Sequence, residues 1–127
     1  TTVVVGYRNA DAFLREELEE AADRVVIASD DGSIGIKGTV LDAMEAEGVT
    51  GDCIFSCGPT PMLRGVKQWA FEKQIPAWIS MEEKMACGIG ACLGCVCKSK
   101  DIDEHSKVHN KRICKDGPVF NAEDIEI

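Results

Sequence analysis

The stretch Asp52-Cys-Ile-Phe-Ser-Cys-Gly-Pro-Thr-Pro-Met-Leu-Arg-Gly-Val-Lys-Gln-Trp-Ala-Phe-Glu-Lys-Gln-Ile-Pro-Ala-Trp-Ile-Ser-Met81 carries three structural signals in succession. The short run Asp52–Cys57 predicts a strand. Gly58, Pro59 and Pro61 then mark a turn, and a proline is tolerated in the first turn of a helix because the N–H it lacks would have no partner there. Leu63, Val66 and Trp69 recur at helical spacing and predict an amphipathic helix over Met62–Lys73. Pro76–Met81 predicts the next strand. A helical crossover between two such strands predicts that they run parallel.

Residues on the N-terminal side repeat this alternation. Thr2–Gly6 and Arg24–Ser29 predict strands. Ala10–Ala22, with Phe13, Leu14, Leu18 and Ala21 at helical spacing, predicts a helix, and so does Lys37–Glu47, with Val40, Leu41 and Met44 on one face and Gly48 as its stop. The alternation gives the α/β class, a parallel Rossmann-like sheet with helices on its faces. Residues 1–80 are accordingly read as one α/β domain.

The pattern changes after Met81. Met85-Ala-Cys-Gly-Ile-Gly-Ala-Cys-Leu-Gly-Cys-Val-Cys-Lys98 interleaves glycine with cysteine, and Cys114 follows in a more polar stretch. Residues 81–127 are read as a separate small module. Cys87, Cys92 and Cys95 give the spacing C-x4-C-x2-C, the plant-type [2Fe–2S] ligand pattern, with Cys114 as a fourth ligand. Thiolates need backbone N–H groups close to sulfur, and Gly88, Gly90 and Gly94 allow that approach. The alternatives are a zinc site or inert buried thiols. Cys95 keeps the x2 spacing from Cys92, and Cys97 is read as a small core side chain rather than a ligand.

Composition narrows the function classes. The 127 residues contain 45% hydrophobic side chains, enough for a packed core without disulfides. Seven cysteines, five of them in the last third, fit a metal site in a reducing, cytoplasmic compartment. A formal net charge of -8 argues against nucleic acid, whose binding depends on Lys and Arg at phosphates. No apolar run of about 18 residues is present, so no membrane span is expected.

Two strand ends are candidate nucleotide contacts. Cys57, Gly58 and Pro59 stand where a parallel strand meets a helix, the usual ligand position in open α/β sheets, although a Gly-Pro turn can be only a turn. Asp30 and Asp31 also follow a strand; they could accept hydrogen bonds from a ribose and favour NAD over NADP, or simply cap the turn. Neither a G-x-G-x-x-G fingerprint nor a Walker A ending is present. His105 and His109 are read as loop residues, Cys53 as core, and Glu16, Glu17, Glu19 and Glu20 as a solvated face.

Cys57-Gly-Pro-Thr-Pro-Met62 resembles the C-G-P-x-x-M motif of the ferredoxin-NADP reductase superfamily. Met81-Glu-Glu-Lys-Met-Ala-Cys-Gly-Ile-Gly-Ala-Cys92 and Ile113-Cys-Lys-Asp-Gly-Pro-Val-Phe120 are similar to the electron-transfer subunit of NAD-linked dihydroorotate dehydrogenase. The resemblance implies an FAD-binding barrel, a nucleotide-binding α/β domain and a [2Fe–2S] module. The chain lacks a counterpart of the barrel and of the first strand and glycine-rich turn, so it reads as a C-terminal piece, inactive with NAD by itself. By the same resemblance, Cys87, Cys92, Cys95 and Cys114 hold the cluster, Cys57, Gly58 and Pro59 lie near nicotinamide, and Asp30 and Asp31 lie near the adenosine ribose. The implied partner is an FMN-containing dihydroorotate dehydrogenase catalytic subunit, the cluster passing single electrons between FMN and FAD/NAD in pyrimidine biosynthesis. Rival readings are a sulfide dehydrogenase, hydrogenase or ferredoxin reductase subunit, and a zinc-stabilised interaction module.

Overall fold

The computed structural model describes residues 1–127. The chain forms two compact units, Thr1–Gly51 and Asp52–Ile127.

The first unit holds β1 (Thr2–Tyr7), α1 (Arg15–Ala21), β2 (Arg24–Ser29), β3 (Ile36–Lys37) and α2 (Val40–Ala46). Its sheet has the order β1-β2-β3, all parallel, with Val4 opposite Val26 and Gly6 opposite Ala28. β-Branched residues suit this pleated surface, and Val26, Ala28 and Ala43 make its small core. Helix α1 begins later than its periodicity predicts. Asn9 Oδ1 accepts the Asp11 N–H at 2.8 Å, which holds residues 9–11 in a turn. Phe13 leaves the helix face to stack edge-on against Tyr7, and the Tyr7 hydroxyl donates to the Phe13 carbonyl at 2.7 Å. Helix α2 also starts late, at Val40, because Thr39 and Asp42 form a capping box and Lys37 already pairs with Ser29 in the sheet.

The second unit holds β4 (Ile54–Cys57), α3 (Thr60–Lys73), β5 (Ala77–Ser80), β6 (Val96–Ser99), β7 (Asn110–Arg112), α4 (Ile113–Asp116), β8 (Val119–Asn121) and β9 (Ile125–Glu126). β4 and β5 pair in parallel, as their crossover helix requires, and β8 adds antiparallel to β5. β7, β6 and β9 form a separate antiparallel sheet in that order. The sequence reading places a boundary between residues 80 and 81, whereas the chain divides between residues 51 and 52. The reason is β8: Phe120 pairs with Ile79, and both enter one core with Leu63, Cys95, Ile113 and Ile125. The short apolar run near the C-terminus thereby ties the cysteine-bearing segment to the βαβ unit.

Cys53, expected in the core, is exposed. The strand begins at Ile54, two residues later than expected, and its inward positions are Ile54 and Ser56. The period of two then turns residues 53, 55 and 57 outward. No helix is long and apolar enough to cross a membrane.

Candidate cluster site

The cysteine loop lies between β5 and β6, and Cys114 stands in the single turn α4. Strand pairing brings these distant segments together. Val96 is opposite Arg112 in the β6–β7 ladder, and just before it the Ile113 N–H donates to the Cys95 carbonyl at 2.9 Å. The next N–H, that of Cys114, donates to the Cys95 sulfur at 3.4 Å.

Backbone N–H groups stand at the sulfurs, three of them in well-formed hydrogen bonds. Cys92 N–H donates to Cys87 Sγ, Gly94 N–H to Cys92 Sγ, and Cys114 N–H to Cys95 Sγ, each at 3.4 Å. These bonds favour the thiolate. The Cys87 thiol is brought down to about 6 by the N–H groups of Cys92 and Ile89, with a smaller contribution from Ala91. The Cys114 thiol moves the other way, chiefly through its hydrogen bond with the Cys95 side chain and then through burial, while the Gly90 N–H opposes the rise. Gly90 is itself buried, with φ 78°, and a Cβ there would stand 2.7 Å from Lys115 Cδ. A left-handed conformation and a closed approach both call for glycine at this position.

Nowhere do three or more His, Cys, Asp or Glu side chains gather at the spacing of a single bound ion. Backbone bonds instead link the cysteines as two pairs, the Cys92 N–H on Cys87 Sγ and the Cys114 N–H on Cys95 Sγ. A structural zinc takes four donors about 2.0–2.3 Å from one point, whereas a [2Fe–2S] cluster distributes four thiolates over two irons. Two thiol pairs with N–H donors at the sulfurs fit the cluster.

Cys97 is separated from this set. Residues two apart in a strand share a face, but β6 starts only at Val96, so Cys95 lies outside that regularity. The Cys97 thiol donates to the Lys111 carbonyl at 3.7 Å, is buried, and is pushed up by that burial. His109 contacts the Lys100 carbonyl through Nδ1 at 2.6 Å, and the His105 N–H donates to Asp103, both within a loop.

The strand-end residues are less committed to a site. Cys57 is exposed, Gly58 lies against the end of Met62, and Pro59 precedes α3 and accepts the Leu63 N–H at its carbonyl at 3.0 Å. A cavity of about 420 Å³ opens beside Pro61, Arg64 and Lys67, further along α3, and does not include residues 57–59 in its lining. Asp31 Oδ1 accepts from Ser33 Oγ at 2.6 Å and Ser33 N at 2.9 Å, and these bonds hold the carboxyl below its ordinary value. Asp30 is exposed beside it. Asp30 and Asp31 belong to the first unit, Cys57–Pro59 and the cluster cysteines to the second.

Sequence reasoning missed Arg112, Asp103 and Asp116. Buried Arg112 pairs with buried Asp103 and with the partly exposed Asp116 in one network beside the cysteines. The i,i+4 spacing of Arg112 and Asp116 around Cys114 was the available signal.

Residues 82–126 match the family described as the iron-sulfur cluster binding domain of dihydroorotate dehydrogenase B. Across the whole chain, similarity extends to proteins named dihydroorotate dehydrogenase B (NAD(+)), electron transfer subunit. The protein of that name from Bacillus pumilus is 43% identical over 98% of this chain and 46% of its own length. The one from Caldanaerobacter subterraneus is 41% identical over 97% of this chain and 48% of its own length. The chain spans about half the length of the curated relatives it matches. Among solved structures, the NADH-dependent reduced ferredoxin-NADP oxidoreductase, studied for flavin-based electron bifurcation, superposes with a TM-score of 0.79 at 31% identity, over 98% of this chain and 44% of that one. The chain is therefore homologous to dihydroorotate dehydrogenase B electron transfer subunits, and its α/β architecture is of the ferredoxin-NADP reductase type.

Proposed function

We propose that the chain serves as the cluster-bearing part of a dihydroorotate dehydrogenase B electron transfer subunit, working in the cytoplasm in pyrimidine biosynthesis. Cys87, Cys92, Cys95 and Cys114 are the ligands. The observation that carries this reading is the convergence of backbone N–H groups on the sulfurs of a C-x4-C-x2-C loop that pairs with Cys114. A bound [2Fe–2S] cluster supplies a one-electron carrier, here between the FMN of a catalytic partner and FAD and NAD in the complete subunit. The chain's own residues hold that carrier: N–H groups neutralise charge at the sulfurs, and Cys95, 2% exposed, keeps water from one side of the ligand set. Cys57, Gly58 and Pro59 would meet a nicotinamide, and Asp30 and Asp31 an adenosine ribose.

Iron and acid-labile sulfide assays on anaerobically prepared chain test the first half of this reading. Two irons and two sulfides per chain, with visible absorption that dithionite bleaches, are expected; a colourless protein holding one zinc overturns it. The second half is tested by association with an FMN-containing dihydroorotate dehydrogenase. The likeness to a bifurcating ferredoxin-NADP oxidoreductase favours one alternative partner class, another flavoprotein reductase complex. Failure to bind the dehydrogenase, with stable association to such a reductase, would select it.

A further inference from the structure

Arg112 is buried, 5% exposed, and stands two residues before Cys114. Its guanidinium has three attachments. Nη2 donates to Asp103 Oδ1 at 3.1 Å, Nε reaches Asp116 Oδ2 at 3.4 Å, and Nη1 donates to the Gly90 carbonyl at 2.8 Å. Two carboxylates already compensate the buried charge. The third bond crosses 22 residues of sequence into the middle of the cysteine loop.

The planar trans peptide explains what that bond does. The Gly90 carbonyl and the Ala91 N–H belong to one rigid unit and point in opposite directions. One residue further along the loop, the Cys92 N–H donates to the Cys87 sulfur at 3.4 Å. Holding the Gly90 carbonyl on the Arg112 side fixes the 90–91 peptide, and with it the turn that carries the Cys92 N–H to the Cys87 sulfur. Lys115, whose stem packs on Gly90, closes the same turn from another direction.

We propose that Arg112 is a positioning residue for the [2Fe–2S] cluster, acting through the Gly90 carbonyl on the cluster's reduction potential and retention. This rests on the cluster reading given above. Reduction adds negative charge to the cluster, and N–H groups at sulfur stabilise the reduced form more than the oxidised one, which raises the potential. Loosening the 90–91 peptide removes part of that stabilisation and lets the loop release iron. Outer groups that orient metal ligands typically contribute ten- to a hundredfold to metal affinity. Lysine preserves the charge but offers a single ammonium point, which cannot serve three acceptors lying in different directions as the planar fork does.

The test compares wild type, Arg112→Lys and Asp103→Asn, each as the full chain reconstituted anaerobically with iron and sulfide. Wild type must first hold the cluster; if it does not, the proposed function fails before Arg112 is examined. Arg112→Lys is expected to lose iron to a chelator about tenfold faster and to titrate at a lower potential, by about 59 mV for a tenfold change in the oxidised-to-reduced ratio. Wild-type retention and potential in that variant overturn the proposal. Asp103→Asn breaks the ion pair but leaves Arg112 on Gly90, so its potential is expected to stay at the wild-type value. A shift in Asp103→Asn as large as that of Arg112→Lys would assign the effect to the ion pair and also overturn it. Should Arg112→Lys not fold, the double variant Arg112→Gln/Asp103→Asn, which removes the guanidinium without changing net charge, replaces it: faster iron loss with a lowered potential supports the proposal, and wild-type values overturn it.

Discussion

The loop after β2 and the loop after β5 both follow parallel strands, yet their polar groups face different ways. In the first, Asp31 binds Ser33, Ser29 Oγ donates to the Ile34 carbonyl at 2.6 Å, and Thr39 is capped by Asp42. These side-chain donors and acceptors meet within ten residues of each other, and only the Asp30 and Asp31 N–H groups reach further, to the Tyr7 and Arg8 carbonyls of the neighbouring strand end. In the second, N–H groups point at sulfurs, and the balancing groups come from afar: Arg112 on the Gly90 carbonyl and Cys114 on the Cys95 sulfur. A self-satisfied turn needs no ligand to account for it. A loop whose donors converge on thiols, and whose carbonyl is clamped by a buried cation, fits the cluster proposed for it.

The largest test of this contrast is removal of a thiol. Cys114→Ser is expected to abolish or severely weaken the cluster, since an alcohol is a far poorer ligand than a thiolate. Cys97→Ser is expected to leave the visible spectrum intact, because its thiol is held at the Lys111 carbonyl inside the core. Spectra and iron counts on the two variants check both statements, and the reverse pattern breaks the ligand assignment. At the next level the contrast is one of cores. Ile79→Ala, at a fully buried position shared by β5 and β8, is expected to destabilise the second unit by about 2–5 kcal/mol. Val26→Ala in the smaller core of the first unit should remove no more than roughly 1.5–3 kcal/mol. Urea melts followed at tryptophan report the second unit, which holds Trp69 and Trp78, so only Ile79→Ala should shift that signal strongly.

Much of this was legible in the sequence because it is local. The parallel β4–α3–β5 unit follows from the spacing of Leu63, Val66 and Trp69 between two apolar runs, and the cysteine loop follows from C-x4-C-x2-C. The rest depends on contacts between residues far apart in sequence. Nothing near Val119–Asn121 states that it will pair with β5 and merge the tail with the α/β unit. Arg112 reads as one more surface cation until Asp103 and Gly90 arrive around it. Cys53 looked apolar enough for the core, but the strand's starting register, set by Ile54 against Ala77, turned it outward.

Acid acts on the ion pairs that hold the clamp of the second loop. Asp103 is held below its ordinary value by the Ser106 N–H first and by Arg112 among lesser causes. A carboxyl with a lowered folded pKa contributes stability that is fully present above its unfolded value, about 3.9, and is lost as pH falls through the folded one. Protonation there also leaves the buried guanidinium with one fewer carboxylate. Urea midpoints of the chain free of iron are therefore expected to fall between pH 5 and pH 2, and Asp103→Asn, already less stable at neutral pH, should show a shallower fall. Equal slopes would place the acid sensitivity elsewhere.

The smallest effect belongs to the first loop and decides whether its carboxylates have any task beyond the turn. Asp31 has Oδ1 engaged twice by Ser33, whereas Asp30 lies exposed at the strand end with only its backbone N–H bonded, to the Tyr7 carbonyl at 3.1 Å. If a ribose binds here, Asp30 is the freer acceptor. Asp30→Ala should then lower NAD affinity about tenfold, the scale of one hydrogen bond to a charged group, with little change in the melting temperature. Asp31→Ala should do the opposite, losing up to about 1 kcal/mol of stability with the turn and leaving affinity nearly unchanged. Calorimetric titration with NAD beside thermal melts separates the two. Weaker binding in Asp31→Ala alone would mean that the Ser33 bonds open to admit the nucleotide, and the first loop would then also be built around a ligand.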